Sequence, residues 1–263
     1  MQKNKISQIG NGFVGSALNK SFYENGLKIH IYDKYQNIGS IDSLLDSNII
    51  FFCLPTPYLE GIGYDLSAIE ENLHKLVKMA FDGIVIIKST VLPGTCLSLE
   101  EKYGIKIVHN PEFLTERTAF DDFHNQKHIV LGFNNKEYNE VIDLYKKYYP
   151  NANISICKSM ESESMKIFCN TFYAVKVQIF NEFYLLCNNL NINFNEVKDL
   201  MLKNGWINPM HTNVPGPDGK LSYGGHCFPK DTSALLESMI KEATPHEVLS
   251  GCVSEQIKMR RYK

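Results

Sequence analysis

The chain has 263 residues, which is enough for one large domain or two ordinary ones. Its 44% hydrophobic content permits a globular core, and its net charge of −2 does not indicate a strongly basic face, so we expect neither nucleic acid nor a membrane as a partner. The seven cysteines are odd in number and include no Cys-x-x-Cys pair. This pattern favours reduced thiols in the cytoplasm and predicts neither a disulfide framework nor a metal site.

The N-terminal segment has the order of a dinucleotide-binding βαβ unit. Strands are predicted at 5–9 and 28–32, with a helix at 16–25 between them. Asp33 closes the second strand, where a carboxylate accepts from ribose hydroxyls and repels a 2′-phosphate, although neighbouring Lys34 works against that repulsion. The loop before the helix has the Gly-x-Gly-x-x-Gly spacing that brings a helix N-terminus up to a pyrophosphate, and it comprises Gly10, Asn11, Gly12, Phe13, Val14 and Gly15. The segment predicts NAD as the cofactor, and the alternative is an ordinary glycine-rich turn.

Four further apolar runs, at 49–54, 84–88, 105–108 and 129–132, predict buried strands, the last of them closing the domain. Helices are predicted at 66–80 and 137–149. Two of these strands end in polar segments that we expect to face a ligand crevice, namely Pro55-Thr56-Pro57 and Ser89-Thr90. The alternative is a polar turn that caps the next helix. The prediction is an α/β fold, a Rossmann doubly wound parallel sheet over residues 1–158.

The pattern changes to helices near residue 159. One long helix is predicted at 161–189, and shorter helices at 194–203, 231–241 and 247–258 follow it, with a loop at 208–220. We therefore predict a second, all-helical domain at 159–263, with the long helix as its spine. Lys166 and Asn170 share one face of that helix and could donate to a developing oxyanion, whereas the simpler interpretation is a solvated helix face.

The stretch Gly-Gly-His-Cys-Phe-Pro-Lys-Asp at 224–231 contains a candidate nucleophile. Glycines allow the backbone close to a ligand, and a cation near a thiol favours the thiolate. Cys227 could thus attack a carbonyl carbon, with Lys230 and Asp231 nearby. The alternative is a surface turn with a chance cysteine.

These motifs, in this order, resemble the UDP-glucose 6-dehydrogenase branch of the nucleotide-sugar dehydrogenases. The resemblance rests on the glycine loop with Asp33, Pro55-Thr56-Pro57, Lys88-Ser89-Thr90-Val91, Asn110-Pro111-Glu112-Phe113-Leu114, Glu161-Ser162-Glu163 with Lys166 and Asn170, and the Cys227 stretch. It covers essentially the whole chain. It implies an NAD-binding Rossmann domain and a helical dimerisation domain, and the family's third domain would begin where this chain ends.

The resemblance also implies a reaction and a role for each motif residue. A sugar C6 alcohol is oxidised twice with NAD, and a cysteine thiohemiacetal and thioester lead to the acid, with UDP-glucose to UDP-glucuronate as the expected case. The implied catalytic residues are Cys227, Lys166, Asn170, Asp231, Glu112 and Thr90, with Asp231 placed to hold water and Lys166. The glycine loop, Asp33, Pro55, Thr56, Ser89, Thr90, Glu116 and Lys230 would bind the cofactor. Phe113, Leu114, Thr115, Glu116, Lys166, Asn170, Tyr223, Gly224 and Gly225 would bind the substrate.

Two positions depart from the family's pattern. His211 stands near the place where the family often has an arginine that a dimer partner contributes, and Arg117 stands where glycine is common. Two other functions stay open: a β-hydroxyacid-type dehydrogenase, which needs one oxidation and no cysteine, and a non-catalytic nucleotide-sugar-binding module. We also expect a homodimer through the apolar residues of the long helix, namely Phe168, Phe172, Val175, Ile179, Phe180 and Phe183.

Overall fold

The computed structural model describes residues 5–261, which form two compact units. The first contains the chain up to Pro57 together with Tyr64–Lys166, and the second contains Tyr58–Gly63 and the chain from Ile167 onward. The predicted boundary at 158/159 coincides with the start of the long helix, whereas the compact units divide at 166/167, within that helix. Across the described residues, none of the helices has the length and apolar character needed to cross a lipid bilayer.

Most strands lie in one sheet of the first unit. In chain order the strands are β1 (Ile6–Ile9), β2 (His30–Tyr32), β3 (Ile49–Phe52), β4 (Tyr58–Leu59), β5 (Gly63–Tyr64), β6 (Ile84–Ile87), β7 (Lys106–His109), β8 (His128–Phe133) and β9 (Asn153–Lys158). The seven-stranded sheet has the order β2-β1-β3-β6-β7-β8-β9, and β4 pairs with β5 in a separate hairpin. The strand order reverses at β1, so the crevice of this doubly wound sheet lies between β1 and β3.

The predicted α/β class with a doubly wound sheet is confirmed, and three details were missed. β8 pairs antiparallel to β7, so the sheet is parallel except at that pair. β9, not β8, is the last strand: most of its residues are exposed because it lies at the sheet edge, and it therefore shows no continuous apolar run. The β4–β5 hairpin was also missed, because two-residue strands leave no periodic signal.

Helices follow the predictions with small shifts at their ends. They are α1 (Phe13–Glu24), α2 (Ser67–Lys78), α3 (Thr95–Tyr103), α4 (Ala119–His124), α5 (Asn139–Tyr148), α6 (Ser159–Asn189), α7 (Phe194–Lys203), α8 (Phe228–Lys241) and α9 (Glu247–Met259). The short helices α3 and α4 were not predicted. One core packs α1, α4 and α5 against a face of the sheet around Phe22, Phe51 and Tyr145, and a second packs α2 and α3 against the other face around Phe52 and Leu73.

The second unit is built on α6, which has 31 residues and is therefore about 46 Å long. Two small cores pack along it, one around Phe180, Cys187 and Phe194 and the other around Ala174 and Tyr223. The hairpin of β4 and β5 is tied to α8, because Glu237 accepts hydrogen bonds from the Tyr58 hydroxyl and from the Gly61 amide. The predicted all-helical domain therefore carries one hairpin from the N-terminal part of the sequence.

Candidate active site

The glycine loop lies at the crevice of the first unit, where β1 meets β3. Gly10 has φ +90°, and a Cβ there would stand 2.4 Å from the carbonyl oxygen of Cys53. A Cβ at Gly15 would stand 2.2 Å from the carbonyl oxygen of Gly10. Contacts this short exclude any side chain, so these two glycines are required by the close approach of β1, β3 and α1.

The N-terminus of α1 fits the pyrophosphate of a dinucleotide. Gly12 is the N-cap residue of α1, so no side chain caps the first amides of the helix, and the space that a Cβ would occupy at this position is open. The first turn, Phe13–Gly15, carries neutral side chains, so nothing in it opposes an anion. Amides at the start of a helix and the positive end of its dipole favour a phosphate there.

Asp33 is buried and holds the glycine loop as well as the turn that follows β2. One carboxylate oxygen accepts from the Asn11 amide at 2.7 Å, and the other accepts from the amides of Tyr35 and Gln36 at 2.9 Å. Lys34, whose charge by itself would favour a 2′-phosphate, donates to both Glu71 carboxylate oxygens at 3.1 and 3.2 Å. The pairing offsets the Lys34 charge, so it weakens attraction for a 2′-phosphate.

We expect Asp33→Asn to narrow the preference for NAD over NADP by about tenfold, because the variant keeps an acceptor but loses the charge that repels a 2′-phosphate. Titration of both cofactors against each variant measures this. Asp46→Asn, which changes an exposed acid of the same unit, is the control and should leave both affinities unchanged. Equal affinity of the unsubstituted protein for NADP and NAD would contradict the role of Asp33.

The segments after β3 and β6, which contain predicted cofactor-binding residues, are joined by hydrogen bonds from the side chains of each to the backbone of the other. The Thr56 hydroxyl donates to the carbonyl of Thr90 at 2.8 Å, and the Ser89 hydroxyl donates to the carbonyl of Leu54 at 2.5 Å. Thr56 and Thr90 are buried, whereas Pro55 is exposed. The hydroxyl hydrogens of Thr56 and Ser89 thus stabilise the two strand ends, and their oxygens can still accept from a ligand.

Glu112 and Lys166 form a buried ion pair in the first unit. Lys166 Nζ lies 3.2 Å from Glu112 Oε1 and also donates to the Glu112 backbone carbonyl. The other carboxylate oxygen accepts from the Leu114 amide at 2.6 Å, and the Lys166 ammonium stands 5.1 Å from the Phe113 ring centroid. The predicted acid/base and one predicted oxyanion donor are therefore in direct contact.

The rest of the predicted substrate segment is more open. Phe113, Thr115 and Glu116 are exposed and Leu114 is half-buried. The Thr115 amide donates to Asp122 at 2.8 Å, and Glu116 begins a short 3₁₀ helix that contains Arg117. These exposed side chains are available to a ligand.

In the second unit, Cys227 is the N-cap residue of α8. Asp231, one turn further on, is wholly buried and accepts from Asn170 Nδ2 and from Lys230 Nζ, both at 2.6 Å. The first turn of α8 thus holds Asn170 in place through Asp231, and Lys230, three residues after Cys227, pairs with the same carboxylate. The helix N-terminus favours negative charge at this end of the helix.

The loop before Cys227 is held from the C-terminal helix. Arg260 Nε donates to the Tyr223 carbonyl at 2.9 Å, and Gln256 Nε2 donates to the same oxygen at 3.1 Å. A Cβ at Gly224 would stand 2.1 Å from the Arg260 guanidinium, and Gly225 has φ +75°. A side chain at position 224 would thus displace the Arg260 guanidinium, and the positive φ at position 225 favours glycine.

Sequence reasoning missed the residues that support this loop. Arg260 and Gln256 lie far along the chain, and the buried amides of Gln178 and Asn181 hold Ser222 from α6. Gln178 and Asn181 could have been suspected from the sequence, because each is a polar residue at a position of the long helix that is expected to be buried. His211 packs its ring against Tyr173 and Phe228, and burial lowers the pKa of its imidazole.

Two models of one protein family match the chain. The NAD binding domain of the UDP-glucose/GDP-mannose dehydrogenase family matches residues 22–149, and the central domain of that family matches residues 160–254. The second match includes Cys227. The first describes an NAD binding domain, in agreement with the predicted cofactor.

Similar proteins carry related names. A UDP-glucose 6-dehydrogenase from Rickettsia prowazekii is 34% identical over 77% of this chain and 47% of its own length. The structure of a UDP-glucose dehydrogenase from Pyrobaculum islandicum superposes with a TM-score of 0.85 at 22% identity, covering 97% of this chain and 68% of that one. The structure of a 3-hydroxyisobutyrate dehydrogenase from Mycobacterium tuberculosis superposes with a TM-score of 0.76 at 15% identity, covering 97% of this chain and 93% of that one. The chain spans about half the length of the curated relatives it matches.

Proposed function

Because the chain belongs to the UDP-glucose/GDP-mannose dehydrogenase family, we propose that it oxidises the C6 alcohol of a nucleotide sugar to the uronic acid. The reaction consumes one alcohol, one water and two NAD, and yields the carboxylate, two NADH and three protons. UDP-glucose is the first substrate to test, because relatives that cover most of this chain are named for it. The odd number of thiols favours a cytoplasmic setting.

NAD is the cofactor, and when bound it accepts a hydride in each oxidation. The amides at the start of α1 would hold its pyrophosphate, and Asp33 would accept from its ribose hydroxyls. Pro55 and the hydroxyl oxygens of Thr56 and Ser89 would border it at the strand ends. Glu116 and Lys230 are further proposed contacts with the cofactor. The Lys230 ammonium also pairs with Asp231.

The observation that carries the proposal is the setting of Cys227 at the start of α8, beside the Lys230–Asp231–Asn170 network. The proposed first role of Cys227 is to add its sulfur to the aldehyde carbon formed by the first oxidation. The resulting thiohemiacetal loses a hydride and becomes a thioester. A chain built for a single oxidation does not need this cysteine.

The proposed oxyanion donors are Lys166 and Asn170, which lie one turn apart on α6. Asp231 fixes the Asn170 amide through its 2.6 Å hydrogen bond. A donor that is already held in place stabilises a developing negative charge without reorganising. Phe113, Leu114, Thr115, Tyr223, Gly224 and Gly225 are proposed to bind the sugar nucleotide.

Glu112 is proposed to take a proton from the water that cleaves the thioester. The water oxygen forms the new bond to the acyl carbon, the carbon–sulfur bond breaks, and Cys227 regains its thiolate or thiol. Lys166 supports this role because it fixes the carboxylate at 3.2 Å. Thr90 is proposed to orient the water.

The test is an NADH-production assay of the purified chain with UDP-glucose, UDP-N-acetylmannosamine and GDP-mannose. Two NADH and one acid per sugar support the proposal. One NADH from a small hydroxy acid, with no turnover of the sugars, supports the β-hydroxyacid alternative, which shares the fold. Binding of NAD and a nucleotide sugar without turnover of either supports the non-catalytic module.

We also propose a homodimer that forms through α6. An apolar stripe with helical spacing runs along this helix and is exposed at Phe168, Phe172, Ile179, Phe183 and Leu186, and Leu190 continues it just past the end of the helix. Phe180, contrary to the prediction for this surface, is buried in a core of the second unit because it packs with Cys187 and Phe194. A row of exposed apolar side chains on one helix is typical of a subunit interface.

We expect a dimer by light scattering at micromolar concentration. Phe172→Glu, which places a charge on a side chain that is 65% exposed in the chain, should yield monomers because a buried unpaired charge opposes association. Tyr23→Glu changes an exposed aromatic of the first unit and is the matched control. A monomeric unsubstituted protein at that concentration would refute the dimer.

A further inference from the structure

Lys88 is a buried cation that the proposed reaction does not use. It follows β6 directly and is 3% exposed. It lies beside Asn110 at the carboxyl ends of β6 and β7, which pair in parallel with Ile87 opposite His109. A buried ammonium costs free energy unless polar partners offset it, so its partners show what it stabilises.

The partners of Lys88 belong to the turn that carries Glu112. Lys88 Nζ donates to Asn110 Oδ1 at 2.7 Å and to the Pro111 carbonyl at 3.4 Å. The same Asn110 oxygen accepts from the Tyr145 hydroxyl, and Asn110 Nδ2 donates to the Val130 carbonyl at 2.8 Å. The turn is thus tied by Lys88 at 110 and 111, and by Lys166 at the next residue, Glu112.

The pKa of the Lys88 ammonium is lowered to about 8, which leaves Lys88 mostly protonated at neutral pH. Burial is the largest cause of the shift and Lys166 adds to it, whereas Cys53 and Glu112 oppose it. The Phe123 ring lies 5.4 Å from the ammonium. The other two titratable neighbours, His109 and Tyr145, are uncharged at neutral pH, because burial lowers the pKa of His109 to about 3 and raises that of Tyr145.

We propose that Lys88 is a positioning residue for Glu112: its ammonium holds the Asn110 side chain and the Pro111 carbonyl, and thereby sets where the Glu112 carboxylate stands for thioester hydrolysis. The expected effect on thioester hydrolysis rests on the proposed function, whereas the expected effect on the position of the Glu112 carboxylate does not. The two lysines of this turn have different roles. Lys166 contacts the Glu112 carboxylate, whereas the hydrogen bonds of Lys88 go to Asn110 and Pro111, the two residues before it.

The kinetic test compares Lys88→Met with the unsubstituted protein. We expect kcat to fall about tenfold or more, NAD affinity to stay within about twofold, and acyl-Cys227 to accumulate in intact-mass spectra, because only the hydrolysis step is impaired. In a Glu112→Gln background the same substitution should change kcat less than about twofold, since residues that act through one group are not additive. Equal effects of Lys88→Met in both backgrounds would overturn the proposal.

Lys106→Met is the matched control. Lys106 begins β7 at the opposite end of the sheet, and its ammonium donates to the Asp82 carbonyl at 3.0 Å. The control should keep the unsubstituted kcat. If Lys88→Met does not fold, Lys88→Gln, which keeps a donor without the charge, is measured in the same two backgrounds and must show the same loss of additivity.

Hydrogen exchange separates this inference from the proposed function. The Leu114 amide donates to Glu112 Oε2 at 2.6 Å, so its exchange reports the position of the carboxylate in protein without substrate. We expect exchange in the segment 110–116 to be about tenfold faster in Lys88→Met than in Lys106→Met. Faster exchange supports the positioning role even if no sugar is oxidised, whereas unchanged exchange overturns it even in an active enzyme.

Discussion

Replacing Cys227 with serine is expected to lower acid production by about a thousandfold or more, because a serine hydroxyl is a poor nucleophile at neutral pH. The cysteine is needed only after the aldehyde forms, since only a carbonyl carbon can be attacked. NAD and nucleotide-sugar affinity should therefore stay nearly normal, and a single-turnover NADH signal from the first oxidation is expected. Steady-state NADH production, stopped-flow absorbance and cofactor titration measure the three quantities.

Cys157→Ser is the matched control, because Cys157 is a half-buried thiol on β9 of the first unit. It should keep full turnover. Alkylation of the unsubstituted protein should stop turnover, and bound substrate should protect it. If Cys227→Ser keeps full turnover on the substrate that the assay identifies, Cys227 is a packing residue, and a single oxidation with Lys166 and Asn170 becomes the better account.

Glu112→Gln is expected to lower turnover by about a hundredfold, in the range of lost general-base catalysis. The amide cannot take a proton from water, so the thioester on Cys227 should persist. Intact-mass spectrometry should then show a covalent adduct after substrate and NAD are added. Turnover without any adduct, at the rate of the unsubstituted protein, would remove Glu112 from the mechanism.

Stability must be measured for the same variant. The side chains of Lys166 and Glu112 are 4% and 9% exposed, and loss of one member of a buried ion pair typically costs about 3–5 kcal/mol. A urea unfolding curve under the assay conditions shows whether the chain is still folded. Glu101→Gln, an exposed carboxylate on α3, is the control for turnover and for stability.

The first half of the candidate site was accessible from the sequence because its signals are local. The glycine spacing, the apolar runs and Asp33 lie within one βαβ unit, and the structure brings them together through the 2.7 Å hydrogen bond from the Asn11 amide to Asp33. The second half was accessible only as a resemblance. Spacing predicts that Lys166 and Asn170 share a helix face, but it says nothing about Glu112 or Asp231 as their partners.

Residues whose role depends on distant partners could not be predicted. Asn170 and Asp231 are 61 positions apart, and Arg260 is 37 positions from the Tyr223 carbonyl that it binds. Such pairs depend on how helices pack and in which register strands align, and neither leaves a periodic trace. β9 was missed for a related reason, because an edge strand has no two-sided burial to impose an apolar run.

By itself, the sequence determined the α/β class, the glycine loop between β1 and α1, the long helix and the order of the family's motifs, because glycine sterics and hydrophobic period act over a few residues. Only the tertiary structure decided that Glu112 pairs with Lys166, that Asp231 holds Asn170, and that Lys88 supports the turn of Glu112. A buried charge is costly unless it is paired, and packing rather than distance along the chain decides which residue lies close enough to pair with it.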